Sequence, residues 1–152
     1  MRTRKGLAAW PAAVLLCLST TLIHPTITQA EDPLYKRIGG YDAIAAVTDA
    51  FIGKLVKEPS IAPMFAGHSK DSLGRTRQLI VDQICAVTGG PCVYIGRDMK
   101  TAHAGLGITE EQWTTAAKDL AATLDEFKVP AKEKGEFLAL VTSLKPEIVE
   151  KK

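Results

Sequence analysis

Histidine has the most versatile chemistry of the side chains in this sequence, and the chain holds only three: His24, His68 and His103. An imidazole can bind a metal through one ring nitrogen, or move a proton near neutral pH. His103 stands in the stretch RDMKTAHAGLGI, one helical turn after Met99 and directly before a glycine-rich loop. Taken alone, the stretch fits a cofactor ligand or an ordinary core histidine, so the rest of the chain must supply a pocket.

The elements that must position His103 are predicted to be helices, because apolar residues recur at helical spacing between glycines and prolines. No stretch of any length alternates apolar and polar residues, so the fold class is all-α. A small helical domain has little material for a dense core, which favours a large apolar cofactor at its centre. We expect a short helix or turn at Leu34–Ile38, long helices at Tyr41–Val56 and Asp71–Thr88, and a short segment around His103. A capping box at Thr109–Gln112 predicts a helix that starts at Glu110 and ends before Pro130. The last helix is expected to carry Phe137 and Ile148, with a kink at Pro146.

The first thirty residues have the order of a secretory signal peptide. Three basic residues precede a mostly apolar, uncharged run from Leu7 to Ile23, and small residues stand at the two cleavage positions, Thr28 and Ala30. The alternative is an uncleaved membrane anchor, but Pro11 and a polar cluster interrupt the run, and a span needs about 20 apolar residues. We expect a signal peptide at 1–30, a domain at 31–152, and a periplasmic or secreted protein that meets a membrane only before cleavage.

The charge of the mature part argues against a nucleic-acid partner. Cleavage removes three of the 19 basic residues and none of the 17 acidic residues, which changes the formal net charge from +2 to −1. No basic cluster remains of the kind that nucleic-acid binding requires.

Cleavage also removes Cys17 and leaves Cys85 and Cys92. In an oxidising compartment these two can form a disulfide if their Cα atoms come within about 7 Å. The alternative is a buried thiol at Cys85 and an unrelated loop thiol at Cys92, and the sequence does not choose between the two.

Three runs of the mature chain, LYKRIGGYDAIAAVTDAF, MFAG and VTGGPCVYIGRDMKTAHAGLGIT, together resemble group I truncated haemoglobins. The ordered set of two glycine pairs, Phe65, the Tyr94-x-Gly96-Arg97-x-Met99 run and the later histidine carries the resemblance from Leu34 to about Val149. The resemblance implies a globin-like two-over-two helical sandwich that encloses haem b. It also implies reversible binding of oxygen or another diatomic gas.

The resemblance places His103 at the protein ligand of the haem iron. Neutral imidazole is the usual iron ligand of globins, and Met99 one turn earlier would pack on the porphyrin face. Phe65 matches a phenylalanine that stacks on haem in this family, although an ordinary core aromatic would be buried in the same way. Trp113 and Phe127 are expected to close the core around the cofactor.

Three polar residues match positions near the haem propionates: Tyr94, Arg97 and Lys100. A cation beside a carboxylate is chemically suitable. For Arg97 and Lys100, a place in a solvated loop is an equally good interpretation.

The distal side departs from the family's pattern. Family members often place tyrosine at the position of Phe51, glutamine at that of Ile80, and in some cases histidine at that of Leu79, whereas none of these residues can donate a hydrogen bond. The polar candidates that remain are Thr76 and Gln83. Gln83 either reaches into the pocket as a substitute donor or points to solvent. Without a donor, we expect faster oxygen release than in relatives that have one.

His68 falls in a loop where the correspondence with the family is loose. It is expected to be a solvated loop histidine, the alternative being a sixth ligand to the iron.

The expected function is therefore reversible binding of oxygen or another diatomic gas by a haem protein, for oxygen transport or gas scavenging. An alternative on the same site is a haem enzyme for nitric oxide dioxygenation or peroxidase chemistry, which needs an external reductant such as an electron-donor protein. A third possibility is a helical interaction module without haem, in which His103 binds no cofactor.

Overall fold

The computed structural model describes residues 30–151, so the predicted signal peptide lies outside the described residues except for Ala30. Between residues 30 and 151 there is no strand, and an isolated bridge joins Thr109 to Lys151. No helix of this part is long and apolar enough to cross a bilayer. The elements are α1 Leu34–Arg37, α2 Gly40–Leu55, a 3-10 turn at Ala62–Phe65, α3 Lys70–Val87, α4 Met99–His103, α5 Glu110–Glu126, α6 Ala131–Ser143 and α7 Lys145–Ile148.

Local capping explains where the long helices begin and end. The predicted capping box is present: Thr109 Oγ1 accepts from the Gln112 backbone N–H at 3.2 Å, and Gln112 Oε1 accepts from the Thr109 N–H at 3.0 Å. α3 ends before Gly89, whose φ of +86° suits glycine. The predicted kink at Pro146 is a break between α6 and α7, and Pro146 lies in the first turn of α7, where its missing N–H costs nothing.

The helices pack as two pairs, α2 with α3 and α5 with α6, and α2 also packs against α5. One buried cluster joins residues of α1, α2, α5 and α6, and a second joins Ile44 of α2 to Val81 and Cys85 of α3. An exposed ion pair adds to the second contact, since Arg77 of α3 donates to both carboxylate oxygens of Asp49 of α2 at 2.7 and 2.8 Å. This is the two-over-two arrangement that the resemblance to truncated haemoglobins implies.

A disulfide joins the end of α3 to the loop that follows it. Cys85 and Cys92 are bonded, with their Cα atoms 5.7 Å apart, which decides between the two alternatives left open by the sequence. Gly90 fits beneath the bond because a Cβ there would lie 2.5 Å from the Tyr35 ring and 2.7 Å from Cys85 Sγ. The second glycine pair therefore serves close packing as well as the helix end.

Candidate functional site

His103 is the last residue of α4, a helix of only five residues that depends on its cap. Asp98 supplies the cap: its carboxylate accepts from the Thr101 N–H at 2.8 Å and from the Thr101 hydroxyl at 2.9 Å. These hydrogen bonds lower the pKa of Asp98, which keeps the cap charged at neutral pH. Asp98 was missed in the sequence, although an Asp directly before a helix is a known start signal.

The imidazole of His103 is held by the backbone of its own helix. Nδ1 lies 2.8 Å from the carbonyl oxygen of Met99. Because a carbonyl can only accept, Nδ1 carries the hydrogen, and Nε2 of the neutral ring keeps its lone pair. This is the arrangement that orients histidine ligands in metal sites, where the second nitrogen donates to a carbonyl or carboxylate.

The loop after His103 is fixed from the far end of the chain. The Glu150 carboxylate accepts from the Gly105 N–H at 2.7 Å and also from the Gly107 N–H. Both glycines have positive φ, +83° and +64°, which side chains rarely adopt. Hydrogen bonds from the two N–H groups lower the pKa of Glu150. The local sequence around His103 does not predict this contact.

The surroundings of His103 fit an apolar cofactor. Met99 is buried, whereas Val93, Ile95 and Leu106, which flank α4 in the chain, are 76%, 81% and 45% exposed. Single exposed apolar residues are common on protein surfaces, whereas a contiguous patch of them marks a binding surface. A neutral imidazole nitrogen with a free lone pair is the usual protein ligand to haem iron in globins.

Tyr94 and its neighbours form the loop before α4. The Tyr94 hydroxyl donates to the Arg97 carbonyl oxygen at 2.5 Å, so its hydrogen is used within the loop. Its ring lies over Gly96, where any Cβ would overlap it. Burial raises the pKa of Tyr94. Arg97 and Lys100 are exposed, which fits both interpretations made from the sequence.

The aromatic residues assigned to the cofactor divide into two groups. Phe65, at the end of the 3-10 turn, and Trp113, in the first turn of α5, are both half-buried. Phe127 is 43% exposed, so it lies outside the buried protein core of residues 30–151, and its place around the cofactor stays a prediction. It caps the C-terminus of α5 where the chain reverses through Lys128 at a φ of +56°, and Val129 packs against the core instead.

On α3, Thr76, Ile80 and Gln83 share one helix face, as their spacing requires. Ile80 and Gln83 are half-buried and Thr76 is exposed. The fully buried residues of α3 lie on another face, toward α2. Phe51 packs against the buried cluster between α2 and α5.

His68 is exposed, with Nδ1 2.9 Å from the Ser72 hydroxyl oxygen. This position fits the expectation of a solvated loop histidine.

Known proteins match most of the chain. Residues 33–150 match the bacterial-like globin family. The chain is 32% identical over 115 residues to the group 1 truncated hemoglobin GlbN of Mycolicibacterium paratuberculosis, and the match covers 76% of this chain and 82% of that protein. It is 31% identical over 118 residues to the group 1 truncated hemoglobin GlbN of Nostoc sp., and the match covers 78% of this chain and 98% of that protein.

Among solved structures, the chain is similar to truncated hemoglobin from Tetrahymena pyriformis in the Fe(III) form. The TM-score is 0.71 at 22% identity, and the match covers 78% of this chain and 98% of that chain. This likeness concerns the fold, and it confirms the helical globin-like arrangement.

Proposed function

Because the chain belongs to the bacterial-like globin family, among the group 1 truncated haemoglobins, it binds haem and diatomic gases, and we propose that His103 is its ligand to the haem iron. Haem, when bound, supplies an iron that takes oxygen, nitric oxide or carbon monoxide. The observation that carries the proposal is the His103 Nδ1 contact with the Met99 carbonyl, 2.8 Å long, which leaves Nε2 available.

Apolar side chains around α4 would hold the porphyrin. Met99 lies one turn from His103 on the same side of the helix, and Ile95 and Leu106 offer apolar surface that water otherwise covers. Phe65 and Trp113, both half-buried, are the aromatic residues proposed to pack against the ring. Arg97 and Lys100 are proposed partners of the propionates, because each is an exposed cation.

The distal side is proposed to be apolar toward the gas ligand. Neither Phe51 nor Ile80 can donate a hydrogen bond. If the correspondence with the family were displaced by one residue along α2, Ile52 would take the place of Phe51, and its side chain cannot donate either. A buried hydrogen bond to a charged or polarised ligand contributes about 1.5–3 kcal/mol. Its absence speeds oxygen release by about one to two powers of ten, since about 1.4 kcal/mol is tenfold.

Gln83 is the competing donor. It is half-buried and lies on the same face of α3 as Ile80. Stopped-flow release of oxygen from Gln83→Leu separates the two interpretations. A rate equal to that of the wild type supports the apolar pocket, whereas slow wild-type release that Gln83→Leu accelerates would make Gln83 the donor.

Absorption spectra of the purified mature protein test the function itself. We expect one haem per chain, a ferrous form that binds oxygen and carbon monoxide reversibly, and a high-spin ferric form, because His68 is exposed beside Ser72. Protein that stays colourless with added haem would contradict haem binding by this chain. A low-spin, bis-histidine ferric spectrum would contradict the assignment of His68.

We further propose that the protein is exported and that residues 1–30 are removed. The order of basic, apolar and small residues in the leader supports this. The disulfide between Cys85 and Cys92 supports it as well, because such bonds persist mainly in oxidising compartments. Cell fractionation with N-terminal sequencing tests it: the expected product is periplasmic or secreted and begins at Glu31, and a cytoplasmic product that begins at Met1 would contradict it.

A separate electron-donor protein is proposed to return oxidised haem to the ferrous state. Haem iron that has become ferric would no longer bind oxygen, so renewed oxygen binding would take an electron from a reductant. The rate at which ferric protein is reduced by NADH alone tests this. Slow reduction is expected, and rapid reduction without a second protein would contradict it.

A further inference from the structure

The residues at the end of the described chain, Val149–Lys151, are called the C-terminal strap. Glu150 supplies side-chain hydrogen bonds from the strap to the loop after His103: its carboxylate accepts from the N–H groups of Gly105 and Gly107. The side chain of Lys151 lies close to Gly107 as well. Two of the four residues between His103 and Ile108 are therefore held by one carboxylate. Hydrogen bonds to a charged acceptor are stronger than those between neutral groups.

The main chain of the strap fixes the same region. The Ile108 carbonyl oxygen accepts from the N–H groups of Glu150 at 2.9 Å and Lys151 at 3.1 Å. The Glu110 N–H donates to the Lys151 carbonyl oxygen at 3.2 Å. The strap thus bridges the loop after α4 and the start of α5, and α7, which precedes the strap, packs against α4.

The loop needs such a restraint. Gly105 and Gly107 have φ of +83° and +64°, and glycine loses more conformational freedom on ordering than any other residue. α4 has only five residues, so its last turn is marginal by itself. Without the carboxylate, the N–H groups of Gly105 and Gly107 lose this acceptor.

We propose that Glu150 is a positioning residue for His103: by holding Gly105 and Gly107, it fixes the end of α4 and with it the direction in which the imidazole meets the haem iron. This inference rests on the proposed role of His103 as the ligand. It assigns Glu150 no contact with haem or with the gas.

The test compares Glu150→Ala and Glu150→Gln with Glu147→Gln. Glu147 lies in α7 and is exposed, so its variant removes a charge nearby and leaves the loop contacts intact. Glutamine at position 150 keeps one acceptor oxygen and alanine keeps none, so the series is graded. Two readouts are used on the haem-loaded protein: the iron–histidine stretching band in the resonance Raman spectrum of the ferrous form, and the rate of haem transfer to apomyoglobin.

We expect Glu150→Ala to shift or broaden the iron–histidine band and to speed haem loss by about fivefold, because both hydrogen bonds are exposed and water competes for the same groups. Glu150→Gln should show a smaller change of about threefold by the same scale, and Glu147→Gln should match the wild type. A wild-type band that Glu150→Ala leaves unchanged would overturn the role of Glu150 alone. A wild-type protein with no iron–histidine band would overturn the ligation by His103 and this inference with it.

Discussion

The two sides of the proposed haem site differ in how their side chains are held. On the His103 side, polar contacts fix each step: Asp98 caps α4, the Met99 carbonyl orients the imidazole, and Glu150 holds the loop beyond it. On the α3 side, Ile80 and Gln83 are half-buried on a helix face that lies apart from the buried core. The first side therefore fixes the direction of one nitrogen atom, and the second offers a half-buried helix face.

Physical chemistry explains the difference. A ligand nitrogen must point its lone pair at the metal, so its ring has to be oriented by neighbouring groups. A gas molecule bound to haem iron responds mainly to the presence or absence of one hydrogen-bond donor. The α3 face can therefore change its chemistry by a single substitution without loss of the scaffold.

The largest expected effect is on oxygen release from the α3 side. Ile80→Gln introduces a donor on the face that also carries Thr76 and Gln83. We expect it to slow oxygen release by about one to two powers of ten, the value of one hydrogen bond to a polarised ligand. Stopped-flow kinetics measures this, with carbon monoxide release as the control that should change less. An oxygen rate equal to that of the wild type would show that Ile80 does not face the ligand.

The disulfide links the two sides, since it joins the end of α3 to the loop that leads to α4. Cys85→Ala with Cys92→Ala should lower the free energy of unfolding by about 2–3 kcal/mol, because the bond closes a short loop in the unfolded chain. Urea unfolding, with and without a reductant, measures this. The reductant should weaken the wild type and leave the double variant unchanged, and a wild type insensitive to reduction would argue against a stabilising bond.

Much of the scaffold could be predicted from the sequence because its signals are local. Apolar spacing located α2 and α3 to within one residue at each end, and the capping box located the start of α5. The break near Pro146 was also foreseen, although it separates two helices rather than bending one. These features depend on residues only a few positions apart.

The parts that escaped prediction depend on distant contacts or on the reversal of the chain. Glu150 lies 45 positions from Gly105, so no local pattern connects them. The pairing of Cys85 with Cys92 is a matter of geometry, which composition leaves open. Phe127 continued the apolar stripe of α5, but the turn at Lys128 leaves it exposed.

The smallest expected effect is the pH dependence of the exposed pair that joins α2 to α3. Arg77 holds the pKa of Asp49 below its ordinary value, so the carboxylate stabilises the fold at neutral pH. This contribution is lost as the pH falls below about 4 and through the lowered pKa. Asp49→Asn should therefore lose less stability than the wild type between pH 7 and pH 3 in urea unfolding. The difference should be small because the pair is exposed, and equal losses would show that the pair contributes nothing.

Ligation of the haem iron by Nε2 of His103 can be tested by removing the imidazole and supplying it again in solution. The resonance Raman spectrum of ferrous His103→Gly should lack the iron–histidine band of the wild type, and imidazole added at millimolar concentration should restore an iron–imidazole band and haem retention. A His103→Gly protein that keeps the wild-type band and its haem without imidazole would show that another residue binds the iron.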